Sequence, residues 1–538
     1  MNFEFSYKII KELLEWGVRE FYICAGARNV PLIEVLLNIN GIKVYSHFDE
    51  RSLAFYALGR IKALEQPVAV IVTSGTAVAE LFPAIMEAYY SDLPLVAVTA
   101  DRPKRQRGSG APQTADQKDI YGKYVTACID IEATDEIDLS YYKKDKPIHI
   151  NPCFDLPLQC NKICNIDVSN FKKEQPFKQL KYNNEHIEIF KEFCFNSKNM
   201  LVIVSKNQLK HNYLIIKFLQ LFKRPVYIES TSNIRECEEL NDLKIMFAEN
   251  LWRDSELLNC QFDSVLKIGN TPTHKLWRDI AEEKINLKVL SISESHFAGA
   301  VNAKHIQINY ELFFSFLIDL FSKNIGGQET SAQNLLFKCK NSLEQVNKLF
   351  TTLELSEQSY FNTLSKKIPK NSKIYIGNSL PIRTWDFAAS YENKFFQIEA
   401  SRGLNGIDGQ ISTFLGSAET DKLNIGIFGD LTSLYDLQSL WLTEYRKNLS
   451  FIIIIINNSG GQIFNGVLNG DSADFCKNIH SISFFHWAKM WGIDYFLVEN
   501  KNDLEKLNFE TKKNLRQVIE IKPCSFQTSK FNNIIKTL

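Results

Sequence analysis

Phe451–Ile456 is an unbroken apolar run with five consecutive isoleucines, and it stops at Asn457, Asn458, Ser459, Gly460 and Gly461. A strand with one wet face alternates apolar and polar residues. A continuous β-branched run is buried on both faces, the condition of an inner strand in a parallel sheet covered by helices. The run has a strand's length, far short of the ~20 apolar residues that span a bilayer. The same signal recurs in the first third as "EFYICAG", "KVYSHFD", "PVAVIVTSGT" and "LPLVAVTAD". Between these lie helical patterns, "VPLIEVLLNI", the amphipathic "ERSLAFYALGRIKAL" and "AVAELFPAIMEAYY". The middle third offers "NMLVIVSK", "RPVYIES", "SVLKIGN" and "LKVLSIS", and the last "KIYIGNS", "FFQIEAS", "LNIGIFGD", "FIIIIINN" and "QVIEIK".

A chain of 538 residues is too long for one core. Polar breaks at 169–186 and 322–333 divide it into expected domains 1–178, 179–345 and 346–538. The fold class expected is α/β, with three doubly wound parallel-sheet domains. Lys+Arg and Asp+Glu both number 62, so no global charge points to nucleic acid or a membrane surface. The first residues are dotted with acids and read as neither signal peptide nor membrane span. The 11 cysteines are odd in number and scattered, which suits a reducing, cytoplasmic setting. Cys153, Cys160 and Cys164 cluster without a second pair at zinc-site spacing, so no metal is expected there. The middle third lacks a G-x-G-x-x-G fingerprint, and neither FAD nor NAD is expected in it.

Ligands of such sheets sit beyond the carboxyl ends of the strands. Two strands of the last third end in oxygen donors, at Gly429-Asp430 and at Asn457-Asn458, with Asp430 and Asn458 28 positions apart. One strand–helix unit fills that gap, which places the two loops side by side. Gly-Asp and Asn-Asn are also ordinary turn pairs, and either alone reads that way. Together, an Asp carboxylate, an Asn carboxamide and a bare carbonyl near Gly460 form a hard-oxygen set suited to Mg²⁺ shared with phosphate. The helix after Gly429-Asp430 would add N–H groups for the same anion. In the first third, "SHFDERSLAF" places Glu50 at a strand end, as a first-turn acid or as a working carboxylate. Asp49 is the competing acid.

The G-D…N-N pair resembles the diphosphate motif of thiamin-diphosphate (ThDP) enzymes, with Leu431 where many of them have glycine. The ordered set "SHFDERSLAFYALG", "TSGTA", "TADRP", "GNSLPIR", "SRGLNGIDG", "GDLTSLYDL" and "NNSGGQIF" is similar to the MenD family of 2-succinyl-5-enolpyruvyl-6-hydroxy-3-cyclohexene-1-carboxylate synthases. The likeness is good over the first ~115 residues and about 375–465, and sparse in the middle domain. It implies pyrimidine-binding, central and diphosphate-binding domains, ThDP with Mg²⁺ or Mn²⁺, and a homo-oligomer with active sites between subunits. The reaction it implies decarboxylates 2-oxoglutarate and adds the product to isochorismate.

The resemblance also implies site residues. Glu50 would activate the aminopyrimidine, and Asp430, Asn458 and Gly460 would hold the metal. Ser74, Gly75, Gly429, Leu431 and Gln462 would contact the cofactor, with Ile407 beneath it and Ile463 and Phe464 as an apolar wall. Arg28, Arg102, Gln113, Lys275, Ser379, Arg383 and Arg402 would read substrate carboxylates and hydroxyls. Arginine suits that task because its fork matches a carboxylate bidentately. Taken singly, the cations also read as surface charges and the apolar pair as core. The first loop departs from the family's "GSRS", reading Gly26-Ala27-Arg28-Asn29. Two other classes stay open: an acetolactate-synthase-like carboligase acting on pyruvate, and a non-catalytic paralogue that binds without turning over.

Overall fold

The computed structural model describes residues 1–159, 166–171, 183–247, 262–323, 333–466, 468, 470–509 and 514–537. They group into two compact units. One comprises Met1–Lys178, Ser401–Asp421 and Thr432–Leu449, and the other Gln179–Ala400, Lys422–Leu431 and Ser450–Leu538.

The first unit contains a six-stranded parallel sheet of β1 (Glu20–Cys24), β2 (Lys43–His47), β3 (Val68–Val72), β4 (Leu95–Thr99), β5 (Cys128–Ile131) and β6 (Ile148–Pro152), in the order β2-β1-β3-β4-β6-β5. Strands β1, β3 and β4 are buried along their whole length, as continuous apolar runs require, and so is β6. The runs flag β1 to β4. Strands β5 and β6 carry no such signal, because β6 buries His149 and Asn151 instead. Thr99 Oγ1 lies 2.6 Å from His149 Nε2 and 2.8 Å from Asn151 Oδ1, so these polar groups are satisfied inside the sheet.

The helix Glu50–Leu64 has the limits its pattern predicts, but it is not amphipathic: every residue from Ser52 to Ile61 is buried. Its outer face is covered by the helix Gln410–Ser417. The two backbones touch at glycines. A Cβ on Gly59 would lie 2.1 Å from the Thr413 carbonyl oxygen, and one on Gly416 2.1 Å from that of Tyr56. "AVAELFPAIMEAYY" also differs from expectation, forming two helices, Thr76–Glu80 and Phe82–Tyr90. Pro83 lacks the N–H that would have continued one helix through.

The second unit holds two sheets. Strands β7 (Met200–Val204), β8 (Val226–Ile228), β9 (Ser264–Ile268), β10 (Lys288–Ser293) and β11 (Lys304–Gln307) run parallel in the order β8-β7-β9-β10-β11. Strands β12 (Lys373–Ile376), β13 (Gln397–Glu399), β14 (Asn424–Gly429), β15 (Phe451–Ile456), β16 (Asp494–Val498) and β17 (Arg516–Ile521) run in the order β13-β12-β14-β15-β17-β16. That order repeats the first unit's sheet strand for strand. The isoleucine run is β15, buried throughout between β14 and β17. The strands that sequence patterning misses here, β11 and β16, are half-exposed edges with mixed composition. Within the two polar breaks, 172–182 and 324–332 lie outside the described residues.

Candidate active site

In the second unit β14 and β15 are neighbours, with Gly429 opposite Ile456, so their loops emerge side by side. Asp430 is only 2% exposed. Its Oδ2 accepts the Gly460 N–H at 2.8 Å, and its Oδ1 accepts the Leu431 N–H at 2.7 Å. The first amide of the following helix is therefore turned onto Asp430 itself. His480 Nε2 lies 3.3 Å from Asp430 Oδ2, while its Nδ1 accepts the Ile482 N–H at 3.2 Å. Burial pushes the Asp430 carboxyl above its ordinary range.

The two asparagines at the end of β15 do different work. Asn457 Nδ2 turns inward to Glu520 Oε1 at 2.7 Å and to the Ile482 carbonyl at 2.8 Å. Asn458 donates Nδ2 to Glu357 Oε2 at 2.9 Å, and its carbonyl accepts Gln462 Nε2 at 3.0 Å. The Gly460 carbonyl accepts the Gln462 N–H at 2.8 Å and retains a second lone pair. Gly460 has φ +126°, and a Cβ there would fall 2.4 Å from the Lys477 carbonyl oxygen, so only glycine fits. Gly429, Leu431, Gln462, Ile463 and Phe464 are half-buried around these groups.

In the first unit Asp49 caps the helix Glu50–Leu64. Its Oδ1 accepts the Ser52 N–H and its Oδ2 the Gln438 Nε2, both at 2.8 Å. Asp49 is thereby committed to structure, and Glu50 is the adjacent acid at the strand end. Burial raises the Glu50 carboxyl above its usual range, and the charges of Asp49 and Glu80 push the same way.

The loops after β1, β3 and β4 bring five of the expected residues together. Arg102 Nη1 donates to Ser74 Oγ at 3.0 Å and Nη2 to the Pro112 carbonyl. Gly75, at φ +92°, packs so that a Cβ would meet Gln113 Cα at 3.5 Å, and its N–H goes to the buried Gln117 Oε1 at 3.0 Å. Arg28 Nη1 donates to the Phe154 carbonyl at 2.7 Å, while its Nε is buried with no hydrogen-bond partner among the described residues. Burial and the nearby Arg102 charge both depress its guanidinium. Asn29 is explained as scaffolding: its Oδ1 accepts the Gly26 N–H and its Nδ2 donates to the Cys24 carbonyl, both at 2.9 Å.

Arg402 is buried and Ile407 half-buried on a loop whose Gly403 and Leu404 amides donate to the two oxygens of Glu87, at 3.0 and 2.7 Å. In the second unit Arg383 is exposed, with Nη1 donating to the Ser379 carbonyl at 2.5 Å, and Ser379 has φ +71°. Lys275 opens a helix that follows β9 of the five-stranded sheet, with its ammonium 3.9 Å from Asp279 Oδ2. Cys153 is buried beside Arg107, and Cys160 and Cys164 lie outside the described residues. Among the described residues no three His, Cys, Asp or Glu side chains group to hold a metal. Sequence reasoning missed Glu357, His480, Glu87 and Gln117. None sits in a distinctive motif, and each meets its site through a contact distant in sequence.

Residues 4–120 match the family model described as thiamine pyrophosphate enzyme, N-terminal TPP binding domain. A protein of Bdellovibrio bacteriovorus named 2-succinyl-5-enolpyruvyl-6-hydroxy-3-cyclohexene-1-carboxylate synthase is 38% identical to the chain, covering 98% of each. The chain belongs to this synthase family. Synthases of the same name from Akkermansia muciniphila and Lysinibacillus sphaericus are 32% and 28% identical, covering 95% and 96% of this chain and 94% of each relative. Membership makes the chain a ThDP-dependent enzyme of the α/β class. Among the described residues no helix of this synthase-family chain is long and apolar enough to cross a membrane.

Proposed function

We propose that the protein joins 2-oxoglutarate, with loss of CO₂, to isochorismate, giving 2-succinyl-5-enolpyruvyl-6-hydroxy-3-cyclohexene-1-carboxylate for menaquinone synthesis. The observation that carries this reading is the Arg28–Arg102 pair. The Arg28 Nε is buried with no hydrogen-bond partner among the described residues, and burial and the nearby Arg102 charge both depress the Arg28 guanidinium. An incoming polyanion relieves both costs, and both substrates are polyanions. Gln113, Ser379, Arg383, Arg402 and Lys275 are the further polar groups we assign to substrate binding.

The donor set fits a hard divalent cation. Asp430 is buried, no lysine or arginine among the described residues pairs with it, and the Gly460 cradle excludes any side chain. Asp430, Asn458 and the Gly460 carbonyl would hold Mg²⁺ or Mn²⁺, which would anchor the diphosphate of ThDP. When bound, ThDP supplies the nucleophilic carbon and electron sink for the decarboxylation and carboligation. Glu50 holds a proton at its carboxylate and shares it with the aminopyrimidine ring, a task its raised affinity for protons suits. Ser74, Gly75, Gly429, Leu431 and Gln462 orient the cofactor, Ile407 supports it, and Ile463 and Phe464 keep water from it. The enzyme acts as a cytoplasmic homo-oligomer with active sites between subunits.

The test compares initial rates with 2-oxoglutarate and pyruvate, each with isochorismate and ThDP-Mg²⁺. A charge-assisted hydrogen bond contributes about 1.5–3 kcal/mol, so a distal carboxylate read by one or two cations should favour 2-oxoglutarate by roughly 10–10³-fold in kcat/KM. Arg383→Ala or Arg402→Ala should reduce that preference or weaken isochorismate capture. A preference for pyruvate, or indifference to isochorismate, would place the chain with another carboligase, and absence of any turnover would make it a binding protein.

A further inference from the structure

Glu357 is only 4% exposed, and among the described residues its carboxylate meets a hydroxyl and a carboxamide rather than a cation. It opens the helix Glu357–Lys367, which Ser356 caps, and its own N–H is fixed on Thr528 Oγ1 at 3.0 Å. Its Oε1 accepts the Thr384 hydroxyl at 3.3 Å, and its Oε2 accepts Asn458 Nδ2 at 2.9 Å. The carboxylate is thus held from the backbone, from one hydroxyl and from one carboxamide.

A carboxamide has a donor end and an acceptor end in one plane, and either can face a given neighbour when the side chain flips. Both Glu357 oxygens accept here, one from the Thr384 hydroxyl and one from the NH₂ end of Asn458. The oxygen of Asn458 is then turned away from Glu357. We propose that Glu357 is a positioning residue that fixes this flip and so presents Asn458 Oδ1, not Nδ2, to the metal. The inference rests on the reading of Asp430, Asn458 and Gly460 as the metal ligands. An NH₂ group turned toward a divalent cation would repel it. Without Glu357 the flip is unbiased, and part of the metal affinity goes into selecting the competent rotamer.

The test is calorimetric titration of Mg²⁺ into chelator-treated protein at saturating ThDP, with the melting temperature of the metal-free protein recorded beside it. Removing a support of this kind typically weakens metal binding about 10–100-fold. Glu357→Leu should show a loss of that size. Glu357→Gln, whose amide can donate as well as accept, loses the bias but keeps a hydrogen bond to Asn458, and should fall between wild type and Glu357→Leu. Asn458→Asp should bind Mg²⁺ poorly although a carboxylate is the stronger ligand, because it places two carboxylates face to face, and adding Glu357→Gln should restore its affinity. That rescue is a pairwise effect that a merely structural role for Glu357 does not produce, and it decides the matter even if Glu357→Leu fails to fold. Unchanged Mg²⁺ affinity in Glu357→Leu, or no rescue of Asn458→Asp, overturns the inference while leaving the metal site standing. Wild-type Mg²⁺ affinity in Asn458→Ala and Asp430→Ala would overturn the metal reading, and this inference with it.

Discussion

The Gly460 amide donates to Asp430 Oδ2 at 2.8 Å, tying the loop after one buried strand to the residue that ends its neighbour. The bond fixes the spacing of an acid and a carbonyl that we propose as hard ligands, and among the described residues the buried carboxylate has no lysine or arginine partner. ThDP should therefore bind chelator-treated protein weakly and regain affinity when Mg²⁺ or Mn²⁺ is restored. Equal ThDP affinity with and without metal, measured by calorimetry, would remove the metal from the site.

Glu50→Gln keeps the shape of the side chain and removes the shared proton. General acid–base contributions run to about 10²–10⁴-fold, and turnover should fall by that much with Mg²⁺ binding intact. Turnover within about threefold of wild type would mean that another group activates the cofactor.

Gly416→Ala tests the helix contact that covers the Glu50 helix. Its new methyl would fall 2.1 Å from the Tyr56 carbonyl oxygen, and backbone cannot swing aside as a long side chain can. We expect a loss of about 1–3 kcal/mol or more in urea unfolding, with the helix propensity of alanine offsetting only part of it. A midpoint unchanged from wild type would show that the two helices are farther apart than described.

Asp436 provides a pH signature. It is fully buried, its Oδ2 accepting the Ser412 N–H at 2.7 Å and its Oδ1 the Ser412 hydroxyl at 2.8 Å, and burial pushes its carboxyl up to about 6. Arg51 opposes that shift and Asp49 adds to it. A raised native pKa means that the folded state binds more protons than the unfolded chain between the two pKa values. Its contribution is therefore fully present below about pH 4 and lost as pH rises to about 6, a change of roughly 3 kcal/mol. In Asp436→Asn, whose oxygen can still accept the Ser412 N–H while its NH₂ donates to the Ser412 hydroxyl, the stability curve should lack that decline relative to wild type. Parallel curves for the two proteins across that range would refute the assignment.

The sheets and the strand-end chemistry were legible in the sequence because burial on both faces of a strand leaves a local mark, an unbroken apolar run. Where a run stops, the chain leaves the sheet at the end where ligands bind. That logic located Asp430, Asn458 and Glu50 and paired the loops of β14 and β15. Strand β6 left no such mark, since its buried positions hold His149 and Asn151, which are polar in sequence and satisfied by a neighbouring strand, and β5 is a mostly half-buried edge of mixed composition.

Choices between adjacent, chemically similar residues belonged to the tertiary structure. Asn457 and Asn458 are alike as sequence, but side chains alternate at a strand end, so one reached Glu520 and the other Glu357. Asp49 and Glu50 are both acids at a helix start, and Gln438, 389 positions away, engaged Asp49 in the cap. The amphipathic reading of the Glu50 helix failed for the same reason, because the helix that covers its outer face, Gln410–Ser417, is distant in sequence. Composition and periodicity record which surfaces a segment must bury. Which distant group meets a given polar atom depends on the packing of the whole chain.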